Sequence, residues 1–353
     1  FPYTTLFRSY RNKIKGDTLY DLARDKGLTT CSLLWPVTGK AKITYNMPEI
    51  FAVKPYQHQL FMSAGAGSLG FQLDINKRFG NLRKGIEQPY LDNFVIEAAK
   101  YTIKKYAPNL MLIHFTDVDT NRHHYGYSNK VIDDALLRHD SRLGEIIGAL
   151  KERGIYDECT IVALGDHSHL DASKVIKLNA LFRKEGLIKI NEKGKVLDYK
   201  GICKSLDGSC YIYLKDKNDN KTIEKIKALL KSLPVDFILE GEEIGKSGGD
   251  MEASLMIEAN LDYYFVDDID GEIIDEIKDE EVGVKAHRHK ATHGYSPKKE
   301  NYTTFFIGSG RGFKNGVVID KGNLINHGPT LAKVLGLKFN VIDGEAVEEI
   351  LNI

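Results

Sequence analysis

The sequence has no surplus of either charge. Its 49 basic and 49 acidic residues cancel, which gives a formal net charge of +0 at pH 7. Without a basic surplus, the composition does not indicate binding to nucleic acid or to an anionic membrane. Long apolar runs are also missing: no stretch approaches the roughly 20 residues that cross a bilayer, and no signal-like segment begins the chain. Small-molecule chemistry is therefore the expected activity.

Closely spaced cysteine pairs are absent as well. Four cysteines occur, far apart and without a CxxC pair, and this spacing predicts free, buried thiols. Free thiols favour a cytoplasmic location. An initiating methionine is missing too, and the first residues, FPYTTLFRS, show no helix cap or periodicity. This string resembles translated sequencing adapter, so residues 1–9 are predicted to be a non-native segment; an ordinary edge segment of a processed protein is the alternative.

Helix-like and strand-like segments alternate along the chain. Short helical patterns capped by residues such as Asp17 are followed by continuous apolar runs, the order typical of an α/β fold. We predict a mostly parallel central sheet with helices on both faces, and ligands near the carboxyl ends of its strands. The predicted helices span 17–26, 91–106, 129–153 and 328–335, and the predicted strands span 28–37, 109–116, 159–164 and 303–310.

The sequence changes character between about 171 and 285. Shorter β-prone pieces such as Ser209–Leu214, a helix near 221–232 and an acidic stretch replace the long alternating elements. We predict a smaller inserted α+β domain at 171–285 and a core domain formed by 10–170 and 286–353.

Three clusters of carboxylates and histidines lie at predicted strand ends or in loops. In the first, a carboxylate precedes an imidazole by four residues, which places both on one face of a helix. Imidazole with carboxylate is the ligand mix of zinc and related ions, and two such ions can clamp the attacking and leaving oxygens of a phosphoryl transfer. The clusters are Asp117, Asp119, His123 and His124; Asp166, His167 and His169; and His287, His289 and His293.

The cluster members are not equivalent. The adjacent Asp166 and His167 after a strand are hard to explain by packing and are expected to bind metal. Asp117 is either a ligand in place of Asp119 or a hydrogen-bond partner of a ligating histidine. Outer-shell or solvated positions are expected for His124, His169, His287 and His289.

The order of these motifs resembles the alkaline phosphatase superfamily, in its nucleotide pyrophosphatase/phosphodiesterase branch. DxxxHxYG at 119–126, Asp-His after a strand, and THGY at 292–295 occur in that order, and residues 18–50 are also similar to that branch. The resemblance covers nearly the whole chain from Tyr10. It implies an alkaline phosphatase-like core, two zinc ions and hydrolysis of a phosphodiester or pyrophosphate bond. One zinc would be held by Asp119, His123 and His293, and the other by Asp166 and His167.

The resemblance also implies residues that this sequence does not show. The family completes its second zinc site with an aspartate after the first strand and uses a threonine or serine at a helix start as the nucleophile. Both are expected upstream of Tyr10, so this chain would hold no catalytic nucleophile, an incomplete second zinc site and little activity by itself.

The expected substrate is a small nucleotide-like phosphate ester. Trp35 and Tyr125 are expected to contact it by stacking on a base, with core packing as the alternative for Trp35. Arg122 and Ser168 stand where the family usually has glycine, which affects loop shape. The alternatives are a phosphomonoesterase, phosphonate hydrolase, phosphoglycerate mutase or sulfatase of the same superfamily, or a non-catalytic metal-binding relative.

Overall fold

The structure, a computed structural model, describes residues 9–50 and 59–353. The predicted non-native segment therefore lies outside the described residues, apart from Ser9. The helices are α1 Leu19–Asp25, α2 Gln59–Ala64, α3 Leu69–Phe79, α4 Tyr90–Tyr106, α5 Asp117–Tyr125, α6 Lys130–Arg153, α7 Leu178–Lys184, α8 Asn220–Leu230, α9 Glu242–Lys246 and α10 His327–Val334. The strands are β1 Thr30–Leu33, β2 Tyr45–Met47, β3 Leu110–Ile113, β4 Thr160–Leu164, β5 Leu170–Ile176, β6 Ile188–Ile190, β7 Val196–Tyr199, β8 Gly201–Ser205, β9 Ser209–Leu214, β10 Val235–Glu240, β11 Leu255–Ala259, β12 Asp262–Phe265, β13 Ile274–Glu276, β14 Ala291–Thr292 and β15 Phe306–Gly310.

The chain divides into two compact units. Within the described residues, the first comprises 9–50, 59–118, 134–164 and 306–353, and the second comprises 119–133 and 165–305. Compactness alone does not define a domain, so the predicted boundaries of the core and of the 171–285 insertion stay predictions. The predicted mixed α/β class is confirmed.

The first unit contains a parallel sheet of three strands. Strand β1 pairs in parallel with both β2 and β3, so that Cys31 faces Tyr45 on one side and Met111 on the other. The predicted parallel pairing holds for these strands, whereas β4 pairs antiparallel with β15. Apolar residues of β1 are buried against α3 and α4 in one cluster that includes Leu33, Phe71 and Phe94.

Helix α1 begins one residue later than the sequence suggested. Thr18, not Asp17, is the N-cap, and its hydroxyl oxygen accepts from the backbone N–H of Asp21 at 3.3 Å. Asp17 instead accepts from the backbone and side-chain amides of Asn340, at 3.1 and 2.7 Å. The local pattern predicted the helix correctly, but two adjacent residues of similar capping ability made the cap ambiguous.

The second unit contains three sheets, the smallest of which is the antiparallel pair of β6 and β7. Strands β10, β11, β9 and β8 form an antiparallel sheet, and β12, β5 and β13 form another, with β14 added to β5. Side chains from the first of these sheets and from α7 and α8 share one core that includes Phe182, Ile212 and Ile226. This unit carries the residues of the candidate site.

The thiols are free, as predicted, and Cys31, Cys203 and Cys210 are buried, whereas Cys159 is half-buried. No helix in the described part of the chain combines the length and apolar character needed to cross a bilayer.

Candidate metal centre

Helix α5 places the first two predicted ligands one turn apart. Nε2 of His123 lies 3.4 Å from Oδ1 of Asp119. On the other side of the ring, Nδ1–H of His123 donates to the carbonyl oxygen of Ala291 at 2.9 Å. This bond requires a proton on Nδ1 and leaves Nε2 as the ring nitrogen that faces Asp119. A backbone carbonyl behind the imidazole is the usual support for a histidine that binds metal.

Sheet register brings a second histidine to the same carboxylate. Strand β14 pairs antiparallel with β5, with Thr292 opposite Leu170. His293 follows Thr292 and His169 precedes Leu170, so this register places the two histidines side by side. Their ring centroids are 5.3 Å apart, and Nε2 of His293 lies 3.8 Å from Oδ1 of Asp119.

The glycine of the THGY sequence has a local structural cause. Gly294 has a φ of +81°, and a Cβ at this position would overlap the carbonyl oxygen of Leu206. Only glycine combines this backbone conformation with such a close approach. The turn after His293 therefore depends on Gly294.

His169 completes the group. It is 2% exposed, and its Nε2 lies 3.0 Å from Oδ1 of Asp119. Burial rules out the solvated position that the sequence left open and supports the outer-shell alternative. Ligand atoms of Asp119, His123, His169 and His293 lie within 4.8 Å of one another, and these four residues are called the primary cluster.

The spacing of the primary cluster fits a zinc-like ion. Ligand atoms that lie 2.0–2.2 Å from a tetrahedral ion are about 3.3–3.6 Å from one another. The separations of 3.4 and 3.8 Å from Asp119 to His123 and His293 are near this range and longer than a normal N–H···O hydrogen bond. The 3.0 Å from Asp119 to His169 is instead a hydrogen-bond distance. His123 and His293 are therefore better placed as ligands, and His169 as the donor that orients the carboxylate.

The protonation states also suit metal binding. Burial alone would raise the pKa of Asp119, but the interactions with His123 and His169 outweigh it, and the pKa lies far below its ordinary value. Burial lowers the pKa of His293 to about 3, and the nearby His167 adds to this shift. Near neutral pH the cluster thus offers an ionised carboxylate and a neutral imidazole, which are the metal-binding forms.

Asp166 and His167 follow β4, as predicted. Nε2 of His167 lies 3.7 Å from Oδ2 of Asp166, whose side chain is 61% exposed. The His167 ring is 4.0 Å from that of His293, so this pair adjoins the primary cluster. Among the described residues, no third histidine, cysteine or carboxylate completes a group with them. Their completion by an upstream aspartate stays a prediction.

The structure gives Asp117 a different role from either alternative. The carboxylate is 0% exposed and accepts from Arg138 at 2.7 and 2.9 Å and from Arg142 at 3.0 Å. Burial alone would raise the pKa of Asp117, but these arginines outweigh it and lower the pKa. Asp117 therefore anchors the first turn of α5 by ion pairing.

His139 should make the stability of the protein depend on pH. Burial lowers the pKa of His139 to about 4, with Arg142 and Arg138 adding to the shift and Asp117 opposing it. In the unfolded chain the pKa of a histidine is about 6.5. Between pH 6.5 and 4 the unfolded state therefore binds more protons than the folded state. The stability that His139 contributes is fully present above pH 6.5 and is lost as the pH falls towards 4. We expect His139→Gln to flatten the fall in unfolding free energy between pH 7.5 and 5, measured by urea denaturation. Parallel pH profiles for the wild type and the variant would contradict this assignment.

The two residues expected to contact substrate lie in different units. Trp35 is half-buried in the first unit, where its ring meets that of His114 edge-on at 6.5 Å. Tyr125 ends α5 in the second unit and is 53% exposed. Both substrate roles stay predictions. Arg122 lies over the ring of Tyr127 at 4.3 Å.

Sequence reasoning missed a second group of possible ligands. Ligand atoms of Asp207, His287 and His289 lie within 4.8 Å of one another, and these residues are called the secondary cluster. Both histidines stand out in the sequence as members of a histidine cluster, whereas Asp207 lies 80 residues before His287. No local pattern could have joined them, because their proximity depends on the tertiary fold.

Comparisons with known proteins agree with this picture. The sequence matches the type I phosphodiesterase / nucleotide pyrophosphatase family over residues 3–296. The fold is similar to murine ectonucleotide pyrophosphatase / phosphodiesterase 5, with a TM-score of 0.61 and 14% identity over 95% of this chain and 74% of that chain. The human counterpart gives 0.61 and 15% over 95% and 75%. An inactive murine variant in complex with AMP gives 0.61 and 14% over 95% and 74%.

The family match covers most of the chain and includes both histidine-bearing strand ends and the THGY turn. The fold likeness extends over nearly all of it. Together they indicate a phosphodiesterase / pyrophosphatase hydrolase. The chain belongs to the type I phosphodiesterase / nucleotide pyrophosphatase family, within the alkaline phosphatase superfamily.

Proposed function

We propose that this protein is a zinc-dependent phosphodiesterase / nucleotide pyrophosphatase and that the primary cluster is its first metal site. The observation that carries the proposal is the convergence of His123 and His293 on one oxygen of Asp119, at 3.4 and 3.8 Å. Asp166 and His167 are proposed to contribute to the second site.

Each residue of the primary cluster has a distinct task. Asp119 supplies the negative charge, His123 and His293 supply imidazole nitrogens, and His169 orients the carboxylate through its hydrogen bond. When bound, zinc supplies positive charge that stabilises phosphoryl oxygens and activates an attacking hydroxyl. The ionised state of Asp119 makes the cluster a favourable place for such a cation.

A nucleotide-like ester is the proposed substrate class. One structurally similar murine enzyme is in complex with AMP, which supports this class by analogy. In this chain the exposed ring of Tyr125, two residues after the proposed ligand His123 in α5, offers a surface on which a base can stack. Hydrolysis of diesters is favoured over the monoesterase, phosphonate hydrolase, mutase and sulfatase alternatives because the matched family is the diesterase branch.

The nucleophile is proposed to be a threonine or serine encoded upstream of Tyr10. Sequencing the gene upstream of this codon tests that part directly. A strand ending in aspartate, followed by threonine or serine at a helix start, is the expected result.

The activity test compares two substrates. A protein that includes this upstream sequence is expected to hydrolyse bis-p-nitrophenyl phosphate faster than p-nitrophenyl phosphate when loaded with zinc. A monoester preference would favour the other activities of the superfamily. Metal binding without turnover of either ester would favour a non-catalytic relative and overturn the proposal.

A further inference from the structure

The secondary cluster has the spacing of a metal site. Nδ1 of His287 lies 3.5 Å from Oδ1 of Asp207. This is too long for a normal N–H···O hydrogen bond but close to the separation of about 3.3–3.6 Å expected between two ligands of one tetrahedral zinc ion. The donors share no residue with the primary cluster or with the Asp166–His167 pair.

Asp207 is a buried carboxylate that no lysine or arginine of the described residues pairs with. The residue is 8% exposed, and among the described residues its ion-pair partner is His287. Its Oδ2 accepts from the hydroxyl of Thr292 at 2.9 Å. The neighbouring guanidinium of Arg288 is directed to Asp268, at 2.6 Å. Since a buried charge is costly unless it is neutralised, Asp207 favours a cation beside it.

His289 provides an independent indication of a missing ligand. Its Nδ1 is buried, and among the described residues it has no hydrogen-bond partner. Buried polar atoms are normally satisfied, and a histidine with an unpartnered ring nitrogen, grouped with a carboxylate and a second imidazole, is suited to a metal ion. The ring itself is held in place by stacking on Tyr264, with ring centroids 6.1 Å apart.

The backbone around this cluster is fixed by the same tyrosine. The hydroxyl of Tyr264 accepts from the backbone N–H of His289 at 2.8 Å and donates to the carbonyl oxygen of His287 at 3.1 Å. Asp207 is held from the other side, because its carbonyl oxygen accepts from the backbone N–H of Phe265 at 2.8 Å. The three donors are thus presented by backbone that is already tied to β12.

We propose that Asp207, His287 and His289 form an additional metal site for a divalent ion of the zinc class, distinct from the two sites of the proposed catalytic centre. Three protein donors leave a position for water, and the 61% exposed side chain of His287 provides a route for the ion. This assignment goes beyond the proposed function and does not depend on it.

The site has a structural role in this protein. It joins Asp207 to the segment that runs from His287 to His293, the last of which is a proposed ligand of the primary cluster. The ring of His289 also lies 4.1 Å from that of His123. An ion in the secondary cluster therefore stabilises the segment that supports the catalytic metal.

Metal content of the full 353-residue chain tests the proposal. The wild type, His287→Asn and Asp119→Asn are loaded with zinc, passed over a chelating resin and analysed by mass spectrometry of the metal. Asparagine is chosen because His287 has a φ of +54°, a conformation that asparagine tolerates well. His124→Asn is the matched control, since this half-buried histidine of the same unit belongs to neither cluster.

We expect His287→Asn to lose one equivalent of zinc relative to the wild type, Asp119→Asn to lose a different equivalent, and the double variant to lose both. His124→Asn should retain the wild-type content. The zinc-dependent rise in melting temperature should also be smaller for His287→Asn, while its circular dichroism spectrum stays unchanged. Wild-type zinc content in His287→Asn would overturn the proposal, and so would a double variant that loses no more zinc than Asp119→Asn alone. Zinc retention by Asp119→Asn would count against the proposed catalytic site and leave this one standing.

Discussion

Replacing Asp119 with asparagine is expected to lower the zinc affinity of the primary cluster by more than the roughly 10- to 100-fold that loss of an outer-shell partner costs. Asp119 is the single carboxylate of that cluster, and its Oδ1 lies 3.0–3.8 Å from a nitrogen of each of the three histidines. Asparagine keeps the shape but removes the charge that attracts the cation. Hydrolysis by the complete enzyme should fall with metal occupancy.

Competition against a chromogenic chelator measures this affinity. His169→Gln should show an intermediate loss of about 10- to 100-fold, because its hydrogen bond orients the carboxylate without contributing a ligand. Asp133→Asn is the control, since this aspartate is exposed in the same unit and belongs to neither cluster. Equal affinities for Asp119→Asn and Asp133→Asn would show that the primary cluster is not the zinc site.

The long helices could be predicted from the sequence because their signal is local. The apolar pattern predicted a helix at 91–106, and the structure has one at Tyr90–Tyr106. The pattern at 129–153 corresponds to Lys130–Arg153. In both cases residues three and four apart share a face, so the information lies within the helix itself.

Strand ends were less well predicted than helices. The apolar run at 109–116 predicted a strand that ends at Thr116, directly before Asp117, but β3 ends at Ile113. Asp117 is instead the first residue of α5. The run of apolar residues continues beyond the strand because Phe115 packs in the core, and burial alone does not distinguish strand from loop.

The candidate site shows the same division between local and distant information. Asp119 and His123 could be paired from their spacing, because they lie one helical turn apart. The place of His169 depends on the pairing of β14 with β5, which links segments that are far apart in the sequence. The role of Asp117 depends on Arg138 and Arg142, which lie 21 and 25 residues further along. Sequence spacing indicates a metal-binding family, but tertiary contacts decide which carboxylate faces the histidines.

We expect the largest loss of stability from a replacement of Arg142, which forms buried ion pairs. Its Nη1 lies 3.0 Å from Oδ2 of Asp117 and 3.5 Å from Oδ2 of Asp92; Arg142 is 3% exposed, and both carboxylates are 0% exposed. Burial raises the pKa of Asp92, which shows that its charge is costly even with this partner. Arg142→Met is expected to lower the free energy of unfolding by about 3–5 kcal/mol, because it removes the guanidinium from the buried Asp92 and leaves Asp117 paired with Arg138 alone.

An exposed pair of the same chemistry provides the control. Arg78 and Asp74 lie 2.9 Å apart on α3 with side chains 47% and 26% exposed, and water can replace the interaction when it is lost. Arg78→Met should therefore cost no more than about 1 kcal/mol. Urea denaturation of both variants at pH 7.5 measures the difference. Both replacements remove a guanidinium from an aspartate, so the two variants differ mainly in how buried the lost pair is. An equal loss of unfolding free energy in both variants would show that burial does not account for the importance of Arg142.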